Sequence, residues 1–230
     1  NIYDVTEKLL SGKTIFRKLT IIEGSSKFDL FQKLSEIGNN DNFTIEDIPE
    51  YLVANTYNYQ ITDSAKRILE NITKISADIS NKIWLERDKS TSLKTPKELF
   101  ILASIVEKET SIKDEKPKIA GVFFNRLKKK MRLQSDPTVV FSITEGKKKL
   151  GRKLFRKDLK FESEFNTYRN LGLPPQPICF PGIDSLISVS KPLESELLYF
   201  VAKNKNGEHY FSTNYKDHLR NVKAVKNEKN

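Results

Sequence analysis

Thr95-Pro96-Lys97-Glu98-Leu99-Phe100-Ile101-Leu102-Ala103-Ser104-Ile105-Val106-Glu107-Lys108-Glu109-Thr110 is the stretch on which the reading of this chain turns. Thr95 is a natural N-cap, and Pro96 suits the first helical position because the N–H it lacks has no partner there. Glu98 can close a capping box. From Leu99 to Val106 the residues are apolar almost all round, which predicts a buried helix rather than an amphipathic one. Glu107 and Glu109 end it, and two residues on a helix separate their directions by roughly 200°. They cannot form a facing pair from this segment. A carboxylate at the end of such a helix is expected to be partly desolvated, which raises its pKa and suits a general acid. Two solvated charges opposing the helix dipole are the other reading, and periodicity does not choose between the two glutamates.

Upstream, Leu19-Thr20-Ile21-Ile22 predicts a short strand closed by Glu23-Gly24-Ser25-Ser26. Ser26 can cap a helix carrying Phe28, Phe31, Leu34 and Ile37, stopped by Gly38 to Asn42. A weaker echo, Val5, Leu9, Leu10 and Gly12, precedes it. Residues 51 to 60 form an aromatic-rich extended stretch. Ile68, Ile72, Ile75, Ile79 and Ile83 then predict a helix from about Ser64 to Arg87, and a polar connector covers 88–94.

Downstream, a helix is expected around Pro117 to Lys129, and Gln134 to Gly182 reads as loop-rich. Leu197 to Ala202 and His209 to Ser212 read as a hairpin around Asn206-Gly207, with a polar tail from Lys223. Asn125, Gln134, Ser135, Asp136, Asn166 and Tyr168 supply amides, hydroxyls and a carboxylate of the kind that reads sugar hydroxyls and acetamides. Singly, such residues also simply make loops.

Composition excludes more than it selects. In 230 residues, 37% hydrophobic and 30% charged, global disorder is not expected. The net charge of +10 permits nucleic acid, an anionic membrane surface or an acidic polymer. The lysines are scattered, and the runs 128–130 and 147–149 read as solvated faces. No nucleic-acid motif accompanies them, so no nucleic-acid partner is expected. Cys179 is the only cysteine, which excludes an intrachain disulfide and a cysteine-based zinc site. His209 and His218 lack partners at ligand spacing, and no phosphate-cradling glycine loop occurs, so no metal or cofactor is expected. No stretch of about 18 apolar residues is present. Residue 1 is Asn and the only Met is Met131, so a targeting or anchoring segment upstream is compatible with this chain.

Taken in order, the segments resemble the YceG-like family of endolytic transglycosylases. The resemblance runs through Leu102 to Thr110, Ala120 to Leu127 and Met131 to Val139. It continues in Asn166-Thr167-Tyr168, Gly172 to Pro175 with Pro177-Ile178, Pro181-Gly182, Tyr199-Phe200-Val201, and Gly207 with His209 and Phe211. The N-terminal third is similar but degraded: Leu19 to Gly24 matches the entry into a LysM-like module. Pro49 to Tyr57 carries Glu50, Ala54 and Asn55 where the family usually has Gly, Pro and Asp.

The resemblance implies an α+β fold, with a small LysM-like βαα-type module over 1–48, a mixed helix and antiparallel-strand catalytic domain over 49–222, and a tail over 223–230. It implies an enzyme held at the bacterial cytoplasmic membrane by an N-terminal anchor, with this chain on the periplasmic or extracytoplasmic side. The enzyme cuts peptidoglycan glycan strands between N-acetylmuramic acid and N-acetylglucosamine without water, leaving 1,6-anhydro ends. Glu107 is the implied catalytic residue, the six residues of the preceding paragraphs are substrate-binding candidates, and peptidoglycan polymerases are implied partners. A non-catalytic wall-binding or scaffold module, and a hydrolase on the same fold, are the competing readings.

Overall fold

Ser26 and Asp29 fix the start of the first helix by a reciprocal exchange. The Asp29 carboxylate accepts from the Ser26 N–H at 2.8 Å, and Ser26 Oγ accepts from the Asp29 N–H at 3.2 Å. Two donors that a helix N-terminus leaves open are satisfied in this way. The computed structural model describes Tyr3 and residues 16–37, 42–203 and 207–227. Within it, β1 (Phe16–Thr20) pairs antiparallel with β2 (Thr56–Gln60), from Phe16 opposite Gln60 to Thr20 opposite Thr56. Helix α1 (Lys27–Ile37) lies between them in sequence and buries Leu30 and Leu34. These join Leu19, Ile21, Tyr57, Ile68 and Ile72 in a first core.

The expected strand at 19–22 therefore sits a few residues earlier. The echo at Val5 to Gly12 and the stop at Gly38 to Asp41 lie outside the described residues. The boundary drawn at 48/49 divides no core: β2 lies beyond it, yet completes the sheet with β1, and Leu52 and Ala54 are buried in the same cluster.

Helix α2 (Ala65–Leu85) starts where Ser64 accepts from the Arg67 N–H, and it serves two cores. Its first half packs in the N-terminal core, while Ile79, Ile83 and Trp84 pack in the second. The second core is built on α3 (Pro96–Glu109). Thr95 Oγ1 accepts from the Glu98 N–H, while the Glu98 carboxylate reaches the Lys94 N–H, one residue before the cap. Every residue from Leu99 to Val106 is buried, as their all-round apolarity requires. Helices α2, α4 (Lys116–Lys128), α5 (Asp136–Thr144) and α6 (Ile183–Ser190) surround it.

Helix α5 lies inside the stretch Gln134 to Gly182 that reads as loop-rich, and corrects that expectation at its start. Pro137 sits in the first turn, where a missing N–H costs nothing, and Asp136 complements the positive end of the helix dipole. The chain closes with a hairpin, β3 (Tyr199–Ala202) against β4 (His209–Ser212), and α7 (Tyr215–Asn227) packed on it. The turn residue Asn206 is outside the described residues, and Gly207 has φ +84°. The tail expected from Lys223 is helical through Asn227 because Val225 is buried. Mixed helices and small antiparallel sheets make the fold α+β. Among the described residues, no helix is long and apolar enough to cross a membrane.

The N-terminal unit is sewn to the 178–182 segment. The Gly24 N–H donates to Phe180 O and the Phe180 N–H to Ser25 O, both at 2.9 Å. The Ala54 N–H donates to Pro181 O at 2.8 Å, and Lys108 Nζ donates to Gly24 O at 2.9 Å. Elsewhere, a side chain at Gly121 of α4 would place Cβ 2.5 Å from the Leu193 carbonyl oxygen. Gly121→Ala is therefore expected to lower stability by about 1–3 kcal/mol in denaturant unfolding through overpacking, although alanine favours an open helix by about 1 kcal/mol. Equal or greater stability would mean that the Leu193 loop yields freely.

Candidate active site

The last turn of α3 sends its two glutamates into different surroundings. Glu107 turns into the protein. Its Oε1 lies 3.0 Å from Lys116 Nζ, while its Oε2 accepts from the Gly182 N–H at 2.9 Å and from Ser185 Oγ at 2.6 Å. The two charged side chains are only 6% and 4% exposed. Every oxygen of this carboxylate is thus held by α4, α6 or the segment leading into α6.

Glu109 opens on a cleft of about 250 Å³, lined also by Arg126, Gln134, Asp136, Tyr168 and His209, with Phe200 beside them. Its Oε1 accepts from Ser135 Oγ at 2.5 Å. Burial pushes the Glu109 carboxyl up to about 7, and the nearby Asp136 charge adds to the rise. The Ser135 hydrogen bond and the Arg126 charge oppose it. Desolvation dominates, so a large fraction of this carboxyl is protonated near neutral pH.

The wall facing Glu109 is zipped together by hydroxyls and amides. Gln134 takes a left-handed φ of +51°, and its N–H donates to Thr167 O. The Ser135 N–H donates to Thr167 Oγ1 at 3.0 Å, and that hydroxyl bonds Thr138 Oγ1 at 2.8 Å. Asn166 is fully buried: its Nδ2 donates to Leu159 O and Phe161 O, and its Oδ1 accepts from the Tyr168 N–H. Tyr168 Oη then donates to Asp136 Oδ1 at 2.6 Å, and burial beside that carboxylate pushes the phenol above its usual range.

The expected site residues therefore separate. Gln134, Asp136 and Tyr168 line the cleft with Glu109, and Ser135 bonds Glu109 directly. Asn166 positions Tyr168 from inside the protein. Asn125 is elsewhere, its Nδ2 spent on Ser195 O and Leu197 O, where it clamps α4 to the chain before β3. Asn55 lines a separate cavity with Thr20, Ile21 and Asp184. Cys179 is buried, which pushes its thiol up to about 12 and leaves it without nucleophilic thiolate.

Three further residues belong to the cleft or its support. Arg126 donates from Nε to Leu198 O and from Nη1 to Leu133 O, both at 2.7 Å, fixing the hairpin against the cleft wall. His209 Nδ1 lies 2.7 Å from Glu115 Oε2, and its N–H donates to the other oxygen. The sequence signal for Arg126 was its place in Asn125-Arg126-Leu127. Glu115 gave none, lying in an ordinary charged run, and the signal for His209 was its place with Gly207 and Phe211 in the family-like segment.

Removing one partner of a buried ion pair strands the other charge. Glu107→Gln is expected to cost about 3 kcal/mol in equilibrium unfolding. Glu107→Gln combined with Lys116→Met should recover much of that loss. If the single variant unfolds like the parent, the pair is not what holds this corner.

The sequence pattern of the YceG-like family matches residues 1–224. The chain is 39% identical over 171 residues to an endolytic murein transglycosylase of Bacillus subtilis, covering 73% of this chain and 45% of that protein. It is 33% identical over 184 residues to one of Streptococcus pneumoniae, covering 78% of this chain and 32% of that protein. The chain thus spans less than half the length of these curated relatives. The crystal structure of a YceG-like protein from Listeria monocytogenes superposes with a TM-score of 0.66 at 28% identity, over 96% of this chain and 81% of that one. With nearly its whole length matched in sequence pattern and in fold, the chain belongs to the YceG-like family.

Proposed function

We propose that this chain is the catalytic part of an endolytic peptidoglycan transglycosylase, with Glu109 as its general acid and base. The observation that carries the reading is the Glu109 carboxyl, raised to about 7 in a polar cleft and positioned by Ser135. The relatives named endolytic murein transglycosylases supply the substrate class. Glu107, the residue implied by the resemblance, is replaced in this role because Lys116, Gly182 and Ser185 occupy its oxygens.

Ordinary glycosidases divide the work between two carboxylates. Here a single one suffices, since the attacking group is the C6 hydroxyl of the muramic acid itself. Protonated Glu109 gives its proton to the glycosidic oxygen as the C1–O bond breaks. Its carboxylate then takes the proton of the C6 hydroxyl as that oxygen closes on C1, and the product is a 1,6-anhydro end. Intramolecular attack gains from orientation already fixed in the sugar. Gln134, Asp136 and Tyr168 are the proposed sugar contacts, Ser135 and Asn166 position the acid and the phenol, and Asn125 acts only through the fold. The LysM-like, glycan-holding role is proposed for the unit bounded by β1 and β2, and the site of action for the extracytoplasmic face of the membrane. Peptidoglycan polymerases are the proposed partners.

Mass spectrometry of purified glycan strands tests this. The parent and the Glu107→Gln/Lys116→Met double variant should both yield anhydro ends, while Glu109→Gln should lose at least about a hundredfold in rate with its fold intact. Products heavier by one water would replace the reading with hydrolysis, with Asp136 as second carboxylate. Because the acid works protonated, cleavage should fall as pH rises through about 7. Ser135→Ala removes a bond that favours the ionised form and should move that limb to higher pH. Asp136→Asn removes a charge that disfavours ionisation and should move it lower. Because the unfolded carboxyl ionises near 4.5 and the folded one at about 7, the stability that Glu109 contributes is lost as pH rises from the first value to the second, a loss Glu109→Gln should abolish.

A further inference from the structure

Between Lys147 and Phe161 the chain carries eight lysines and arginines against a single acid, Asp158. Asp158 is buried and organises the segment. Arg152 grips its two oxygens at 2.6 and 3.1 Å, and the Phe155 N–H donates to it at 2.8 Å. The Asp158 N–H donates to Phe155 O and the Phe161 N–H to Asp158 O, closing a tight turn around the short 3-10 helix Asp158–Lys160. The fully buried Asn166 ties this turn to the body through Leu159 O and Phe161 O, and Arg169 Nη1 holds Lys160 O at 3.1 Å. Backbone bonds thus fix the loop, so its outward side chains are presented on a firm frame.

Those side chains have a consistent character. Phe155 is 52% exposed and Phe161 43%, and Leu171, two residues beyond Arg169, is 64% exposed. Around them Lys148, Lys149, Lys153, Arg156, Lys157 and Lys160 are exposed and make no ion pair among the described residues. Glu145 engages Lys147, and Asp158 engages Arg152. Uncompensated like charges on one loop repel each other, so a negative surface facing them lowers the free energy of all at once. Rings left half in water among cations have a use at a lipid interface, where they can enter between headgroups while the ammonium and guanidinium groups meet phosphates.

We propose that the Lys147–Phe161 loop is a docking surface for an anionic phospholipid bilayer, with Phe155 and Phe161 as interfacial anchors. A soluble polyanion would satisfy the charges but leave the rings without a place, and this favours lipid. The surface is distinct from the Glu109 cleft and does not depend on the reaction there.

Co-sedimentation of the chain with vesicles tests it, using phosphatidylcholine alone and phosphatidylcholine mixed with phosphatidylglycerol. Binding to the anionic vesicles should be at least about tenfold tighter and should weaken with added salt, since each basic residue near such a surface contributes roughly fivefold. Lys153→Glu/Arg156→Glu/Lys157→Glu should abolish the preference. Phe155→Ser/Phe161→Ser, which keeps every charge, should weaken binding severalfold. Circular dichroism melting confirms the fold of both variants. Equal binding of the parent to the two vesicle types would overturn the proposal without any variant. Unchanged binding of the phenylalanine variant would also overturn it, making the loop a general polyanion site.

Discussion

Where α3 ends, a buried ammonium and a buried carboxylate face each other at 3.0 Å, and the arrangement of the surrounding chain follows from that contact. Two charges removed from water are tolerable only if their remaining hydrogen-bonding capacity is met. For the carboxylate, Ser185 from α6 and the Gly182 N–H meet it, so the strand-like segment before α6 must come to the end of α3. That segment is the one the N-terminal unit is sewn to, through Gly24, Ser25 and Ala54. The residue at 182 is also the point of closest approach: a Cβ there would lie 2.0 Å from the Glu23 carboxylate. One desolvated pair thereby sets α4, α6 and the N-terminal unit around a single corner.

The same corner explains how two glutamates so close in sequence come to differ. Rotation along the helix sends one onto an ammonium and two donors, and the other toward a desolvated wall of hydroxyls, an aspartate, a tyrosine and Arg126. Environment alone assigns the roles, since the side chains are chemically identical. The first is bonded on both oxygens inside the fold, and the second is left near its point of half-ionisation.

The strongly periodic or uniformly apolar parts of the chain were legible because both patterns are local properties. Ile68 to Ile83 and Leu99 to Val106 announce α2 and α3, and Thr95-Pro96 announces the start of α3. The cleft wall was legible as residue types: Gln134, Ser135, Asp136 and Tyr168 all sit at or beside Glu109. Orientation was not. The proposal of Glu109 over Glu107 rests on Lys116 folding back on α3, a tertiary fact that no spacing encodes. Asn125 and Asn166 fit a sugar-binding vocabulary equally well, yet both satisfy backbone carbonyls, because a buried amide is also the cheapest way to tie down a loop. Helix α5 was hidden by Pro137, which breaks helices everywhere except where it stands here.

Asp136 belongs to two spaces at once. It borders the small cleft at Glu109, and on its other side it borders a groove of about 1080 Å³ whose far bank is the Ile22–Ser26 turn and α1. The two banks of that groove come from parts of the chain more than a hundred residues apart, and their separation is set by the backbone bonds to Phe180 and Pro181. The groove therefore works as a pair of calipers hinged within one jaw, at Gly24 and Ser25. Changes at the seam would alter the width of the groove while leaving the groups that line the Glu109 cleft untouched, apart from the shared Asp136.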